Sequence, residues 1–499
     1  MNNKSITPKS AFVKYMHNII LLILFFLTNG ISANSYAQQP GRFSEEEIKS
    51  DLKYLRDTLE ASDYNLYLHT KKEVFDKEYE RISGSITDSL SPLQINRLFV
   101  RFVALAKDGH CTLPDMPWSF YFGSYIQSGG TVFPLNVYFR EQQVFVLDNF
   151  SSDTSIVPGD EIVSVDGKPI IDELKNLYDY ICSDNEYSKN SWIEAVTFPR
   201  AYWMVNGEKK SYEVGIRKND GRQANYHISA IPAGLFESKI SQKKPLLNQT
   251  RNFHFIDNVA YLKPGVFYNP SKGGNTGLNI AMLDNKEFVQ FLDSCFILIH
   301  NKNTHDLIID LRDNPGGAST FSNPLVAFFA TEPFIVGGEK VLLRASEFSK
   351  EFWKDYDDTS ELFVAIKKEM LSRENGSRFE IPISKYKYAP RTDSLRFQGH
   401  VYVLINRFSS SQAVEVSAMI KHYGFGKLVG EQTSPLSSAN ARQFKLPKTQ
   451  ITVYYSEAYY EDTSMANGVT PDYLVSDDPL TDKDEILDYT LTLIKEGKY

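Results

Sequence analysis

From Phe253 to the C-terminus, short apolar runs of strand character alternate with stretches whose apolar residues recur at helical spacing. This alternation limits the fold more than any other feature of the chain. Residues 259–262, 306–311, 401–405 and 427–430 read as strands, and residues 285–301 and 411–423 read as amphipathic helices. Strands apolar on both faces and joined through helices build a largely parallel sheet covered by helices. A charged, Tyr-rich stretch at 351–396 interrupts the alternation and is expected to be a surface insertion.

The first part of the chain follows other periods. Ser44 precedes Glu45, Glu46 and Glu47, the pattern of an N-cap followed by an acidic first turn, and Ile48, Leu52, Leu55 and Leu59 then share one helical face. Further helices are expected at 73–82 and 92–106. The latter ends at Lys107-Asp108-Gly109-His110, with Gly109 as candidate C-cap. Between 125 and 231 the period changes to two. Strands at 132–135, 144–147 and 161–165 are separated by turn signals such as Pro158-Gly159-Asp160 and Asp166-Gly167-Lys168-Pro169. The expected organisation is α/β multidomain: a leader at 1–37, a helical region at 38–124, a small β-rich module at 125–231 and an α/β domain at 232–499.

Lys4, Lys9 and Lys14 precede an apolar run at 19–27, and Ser35-Tyr36-Ala37 supplies small residues for cleavage before Gln38. Nine apolar residues are too few to span a bilayer but suit a signal-peptide core, so export to the periplasm or the medium is expected, without stable membrane insertion after cleavage. Net charge is −8 and no basic stripe is present, which argues against nucleic acid as a partner. With 42% hydrophobic residues the chain is no candidate for disorder. Cys111, Cys182 and Cys295 form neither a disulfide framework nor a zinc pattern, and no metal or other cofactor is expected.

Three segments could carry chemistry. Asn406-Arg407-Phe408-Ser409-Ser410-Ser411-Gln412 joins a buried strand to a helix, and a serine there lies beside helix N-terminal N–H groups that can stabilise an oxyanion. Serine is equally a favoured N-cap. Asp310-Leu311-Arg312-Asp313-Asn314-Pro315-Gly316-Gly317 carries a strand into a glycine turn whose backbone can approach a ligand closely. Asp108-Gly109-His110-Cys111 supplies a histidine, the usual base for a serine nucleophile. Cys111 invites a thiol reading, but adjacent side chains project differently. No Gly-x-Ser-x-Gly elbow, His-Glu-x-x-His, phosphate loop or dinucleotide fingerprint is present.

In their order these segments, with Val132-Phe133-Pro134-Leu135 and the 158–167 turn-strand-turn of the β-rich module, Val429-Gly430-Glu431-Gln432-Thr433 and Asn467-Gly468-Val469-Thr470-Pro471-Asp472, resemble the S41 family of serine peptidases, the carboxyl-terminal processing and tricorn-core-like proteases. The resemblance runs from about Phe43 to the C-terminus. It implies peptide or protein substrates, Ser411 as nucleophile, and an oxyanion hole made by the N–H groups of Gly316 or Gly317 and of Gln412. The β-rich module would be PDZ-like and capture an extended peptide by strand addition. The lysine of the processing-protease branch is missing, since Thr433-Ser434-Pro435-Leu436-Ser437-Ser438 stands in its place, and His422 replaces an aspartate of that branch. A tricorn-like arrangement with His110 as base is therefore the better match. Its acid is expected among Glu457, Glu461 and Glu415. A catalytically silent peptide-binding protein that keeps the cleft is the alternative reading.

Overall fold

The computed structural model describes residues 41–113, 118–243, 245–272, 280–356 and 358–499; the expected leader lies outside them. Helix α1 (Glu45–Ser62) opens on a capping box: Ser44 Oγ accepts the Glu47 N–H, and the Glu47 carboxylate accepts the Ser44 N–H. Helix α2 (Lys72–Ser85) follows, and α3 (Pro92–Ala104) starts on a second box between Ser91 and Gln94. The left-handed residue after α3 is Lys107 (φ 50°), not Gly109 as expected. Asp108, the residue after this turn, is buried.

Helix α4 (Trp118–Gln127) leads into the module. Strands β1 (Thr131–Val132), β2 (Leu135–Arg140), β3 (Gln143–Asn149), β4 (Glu161–Val165) and β5 (Lys168–Pro169) come first. Helices α5 (Ile170–Tyr178), α6 (Glu186–Val196) and α7 (Phe198–Asn206) follow, then β6 (Ser211–Arg217), β7 (Gln223–Ser229) and β8 (Ile231–Pro232). The main sheet runs β2-β3-β4-β6-β7 and is antiparallel throughout. Helices α6 and α7 have no clear apolar period in sequence, because both are buried on several sides: Phe198, Ala201, Tyr202, Trp203 and Met204 are all interior.

After α8 (Ala233–Ile240), strands β9 (Asn252–Ile256) and β10 (Val259–Lys263), helix α9 (Lys286–Lys302), strand β11 (Asp306–Asp310) and helix α10 (Ser319–Ala327) begin the last region. Strand β12 (Lys340–Arg344), helices α11 (Glu347–Asp355) and α12 (Glu361–Ser372) and strand β13 (Arg378–Pro382) come next. Strand β14 (His400–Ile405), helix α13 (Gln412–Tyr423) and strands β15 (Lys427–Gly430), β16 (Ser438–Lys445), β17 (Thr452–Tyr460) and β18 (Tyr473–Leu474) precede the final helix α14 (Glu485–Lys495).

One sheet has the order β18-β15-β14-β11-β10-β9, parallel except at the β9–β10 hairpin. Alternation along its strands divides the core. Leu307, Ile309, Val401 and Val403 face α9, α10 and α13, whereas Ile308, Tyr402 and Leu404 face Ile486 and Leu493 of α14. Each such fully buried aliphatic side chain contributes about 1.5–3 kcal/mol. The 351–396 stretch is more than a surface excursion. Trp353, Tyr356, Ile366 and Met370 form a core with β12 and β13, in a second sheet of order β13-β12-β17-β16. The loops after β11 and β14 therefore emerge side by side at the carboxyl ends of parallel strands, where open α/β sheets place their ligands.

Candidate active site

Strand β14 ends at Ile405, and α13 begins at Gln412. Between them Ser411 adopts φ 49°, ψ −120°, a conformation that strains a residue bearing a Cβ by about 1–3 kcal/mol. The surrounding loop overdetermines it. Ser409 Oγ donates to Leu311 O at 2.8 Å, Ser410 N donates to Asn314 O at 2.9 Å, and Asn406 Nδ2 donates to Asp313 Oδ1 at 2.9 Å. This separates the serines: Ser409 is spent on the backbone, while Ser411 caps nothing with its side chain and lies 3.1 Å from His110 Nε2.

The other ring nitrogen of His110, Nδ1, lies 2.9 Å from Ser438 Oγ, at the start of β16. That hydroxyl donates to Asp108 Oδ1 at 2.6 Å. A hydroxyl has one proton, so Ser438 Oγ must accept from Nδ1–H, which leaves Nε2 as a bare acceptor facing the Ser411 hydroxyl. Asp108 also accepts the His110 N–H (2.9 Å), Ser456 Oγ (2.7 Å) and Tyr459 OH (2.9 Å). Four donors converge on it, the number an ionised carboxylate can accept.

Burial pushes the His110 imidazole below its ordinary range, and the charge of Asp108 pulls the other way. Two more buried carboxyls crowd the same charge. Asp63 and Asp184 are each pushed up to about 8, first by burial and then by Asp108. Three carboxyls thus crowd one another here, and the histidine reaches Asp108 through the Ser438 hydroxyl.

Behind Ser411 the glycine turn comes close. Gly316 (φ 100°) has no room for a side chain: a Cβ would sit 2.6 Å from Gln412 N and 2.7 Å from Ser411 Cβ. Its own N–H donates to Asn314 Oδ1 at 2.8 Å. The backbone N–H groups of Gly317 and Gln412 make no hydrogen bond among the described residues.

This geometry coincides with a family match: residues 278–475 fit the model of peptidase family S41. That stretch of the chain matches the S41 serine peptidases. Its fold is similar to that of mature CPAF complexed with lactacystin, at 15% identity over 91% of this chain and 98% of that one, with a TM-score of 0.56. Mature CPAF in a second structure gives 15% identity, 86% and 92% coverage and a TM-score of 0.54. At such identity the likeness is one of fold. No curated protein matches the sequence.

The three expected glutamates find their hydrogen-bond and ionic partners away from the histidine. Glu457 neighbours Ser456 on β17, and alternation sends the two side chains to opposite faces. Ser456 reaches Asp108, while Glu457 is buried against Trp353 Nε1 (3.0 Å) and Arg442 Nη2 (2.6 Å). Glu461 is about half exposed, with Lys340 at 3.8 Å. Glu415 points into the core, accepts the Tyr460 hydroxyl at 2.8 Å and is pushed up to about 7 by burial. The carboxylate at the site is Asp108. It stands two residues before His110 in a segment already singled out, and Ser438 ends the run where a lysine was sought.

Proposed function

We propose that the chain is an exported endopeptidase that hydrolyses peptide bonds through an acyl-enzyme on Ser411, with His110 as general base. The observation that carries this reading is the 3.1 Å approach of His110 Nε2 to Ser411 Oγ, in the tautomer that accepts a proton there. His110 takes the Ser411 proton as Oγ attacks the carbonyl, then gives it to the leaving amine. The N–H groups of Gly317 and Gln412 receive the negative charge on the carbonyl oxygen. Nδ1–H leans on Ser438, and Asp108 stabilises the imidazolium through that hydroxyl. A water activated by His110 then releases the acyl group.

The module at 125–231 is PDZ-like in this reading and steadies an extended stretch of substrate. Among the described residues its β7 edge pairs only with β6, which leaves an edge suited to strand addition. The charged and apolar pattern of residues 1–37 supports export.

A fluorophosphonate probe and a quenched peptide library test the proposal. The parent chain is expected to label and cleave, and Ser411→Ala to do neither. A folded parent chain that binds peptides but never labels would make it a silent binding protein.

A further inference from the structure

The β-rich module touches the catalytic pair through one continuous segment. Asp184 Oδ2 accepts the N–H of Gly109, next to His110, at 3.1 Å. Tyr187 OH donates to Gln432 O at 2.7 Å. Glu194, further along α6, splits its carboxylate: Oε1 accepts the Phe139 N–H of β2 at 2.7 Å, and Oε2 accepts Arg407 Nε at 2.7 Å. Arg407 stands four residues before Ser411 and also donates Nη1 to both oxygens of Glu431, at 2.8 and 2.9 Å.

The pair Glu194–Arg407 is largely withdrawn from solvent, with side chains 2% and 18% exposed. Such a pair is strongly destabilised when one partner is lost, because the other charge is left buried alone. Arg407 is also tied to the loop through its backbone: its carbonyl accepts Ser434 Oγ at 2.8 Å, and Ser434 N donates to Ser409 O at 3.0 Å. A shift of the guanidinium is thereby passed to the strained serine.

We infer that α6 is a brace and that Arg407, held by Glu194, is a positioning residue for Ser411. Among the described residues Arg407 hydrogen-bonds neither Ser411 nor His110; its partners are Glu194, Glu431 and Ser434. The module is thus part of what sets the Ser411–His110 distance, and the inference rests on the catalytic reading above only where it concerns rate.

The test uses the full chain with Arg407→Met, Arg407→Lys, Glu194→Gln and the double variant Glu194→Gln/Arg407→Met. Arg407→Met is expected to lower kcat by about 10–100-fold with KM within about twofold, since a displacement of order 1 Å at the reacting centre suffices for such a loss. Arg407→Lys should recover part of it, and the double variant should be no worse than Arg407→Met alone. Amide hydrogen exchange should quicken at residues 406–412 and 431–434 and stay unchanged across β10 and β11. Additive losses, an unchanged kcat in a folded Arg407→Met, or unaltered exchange at 406–412 would each overturn the brace. If the parent chain fails to label with a fluorophosphonate, the catalytic reading falls while the exchange measurement still decides the brace.

Discussion

Asp108 accepts the backbone N–H of His110 at 2.9 Å, yet it reaches the imidazole of the same residue only through the hydroxyl of Ser438. One carboxylate thus fixes both the main chain and, at one remove, the ring. The interposed hydroxyl has a single proton and gives it to Asp108, so the polarity of the whole chain of hydrogen bonds is set. Ser438→Ala is expected to leave Nδ1–H without its partner, freeing the ring to rotate and to change tautomer. A fall in kcat on the order of 10²–10³, by analogy with loss of the orienting member of a triad, is expected. Ser438→Thr, which keeps a hydroxyl, should recover a substantial share, as steady-state cleavage of a quenched peptide will show.

The pH profile follows from the same chain. In the proposed mechanism His110 must be neutral to act as the base, and burial lowers its pKa from 6.5. The acidic limb of kcat/KM should therefore fall below the ordinary histidine midpoint of about 6.5. Asp108 opposes that shift, so Asp108→Asn should move the limb further down while lowering kcat by about 10²–10⁴. Rates measured from pH 4 to 9 check both; a limb that rises in Asp108→Asn would contradict the arrangement.

At the proposed oxyanion hole the prediction is steric. A Cβ on Gly317 would lie 2.2 Å from Phe267 O, and φ 141° is unfavourable for any L side chain. Gly317→Ala should displace the turn and its N–H donor, lowering kcat by about 10²–10³, the usual effect of losing one such donor. Fluorophosphonate labelling should slow in parallel, with circular dichroism confirming that the variant is folded.

The legible parts of this protein were those in which neighbours in sequence share a periodic constraint. The strands around Ile308 and Val403 announce themselves because both faces are buried, and α1 does so because Ser44 and Glu47 close a local box. Ser411 and His110 were readable from the segments around them, and the structure brings them together from 301 positions apart. The carboxylate was not. Asp108 becomes the partner of His110 only because β16 and β17 deliver Ser438, Ser456 and Tyr459 from 330 to 351 residues downstream. Glu457 looked suitable in sequence, but the strand period turns it to the wrong face, toward Trp353 and Arg442. The 351–396 stretch looked like surface because its charges outnumber its core residues, although Trp353 and Met370 are wholly interior.

Glu457 accordingly gives a prediction of a different kind. Glu457→Gln removes the charge that faces Arg442 while leaving Asp108 and Ser438 untouched. The loss should appear as lower thermal stability, because the buried guanidinium is left without its counter-charge. In the folded variant kcat and its acidic limb should match the parent within about twofold. A large loss of kcat at unchanged stability would return Glu457 to the catalytic chemistry.

The last prediction concerns stability against pH. Asp184 is buried beside Asp108, and its carboxyl is pushed up from 3.8 to about 8. Between those values the folded chain holds a proton that the unfolded chain has released. Stability from this group is therefore full below pH 4 and declines as pH rises toward 8, by up to about 1.4 kcal/mol per unit. Asp184→Asn keeps a carbonyl oxygen for the Gly109 N–H and cannot ionise. It should melt higher than the parent at pH 8, by about 2–5 °C, and the margin should close as pH falls to 4. Scanning calorimetry of the two chains at pH 4, 6 and 8 measures the difference. A margin that widens toward low pH would mean that Asp184 is ionised in the folded protein and that the charge beside His110 is larger than one carboxylate.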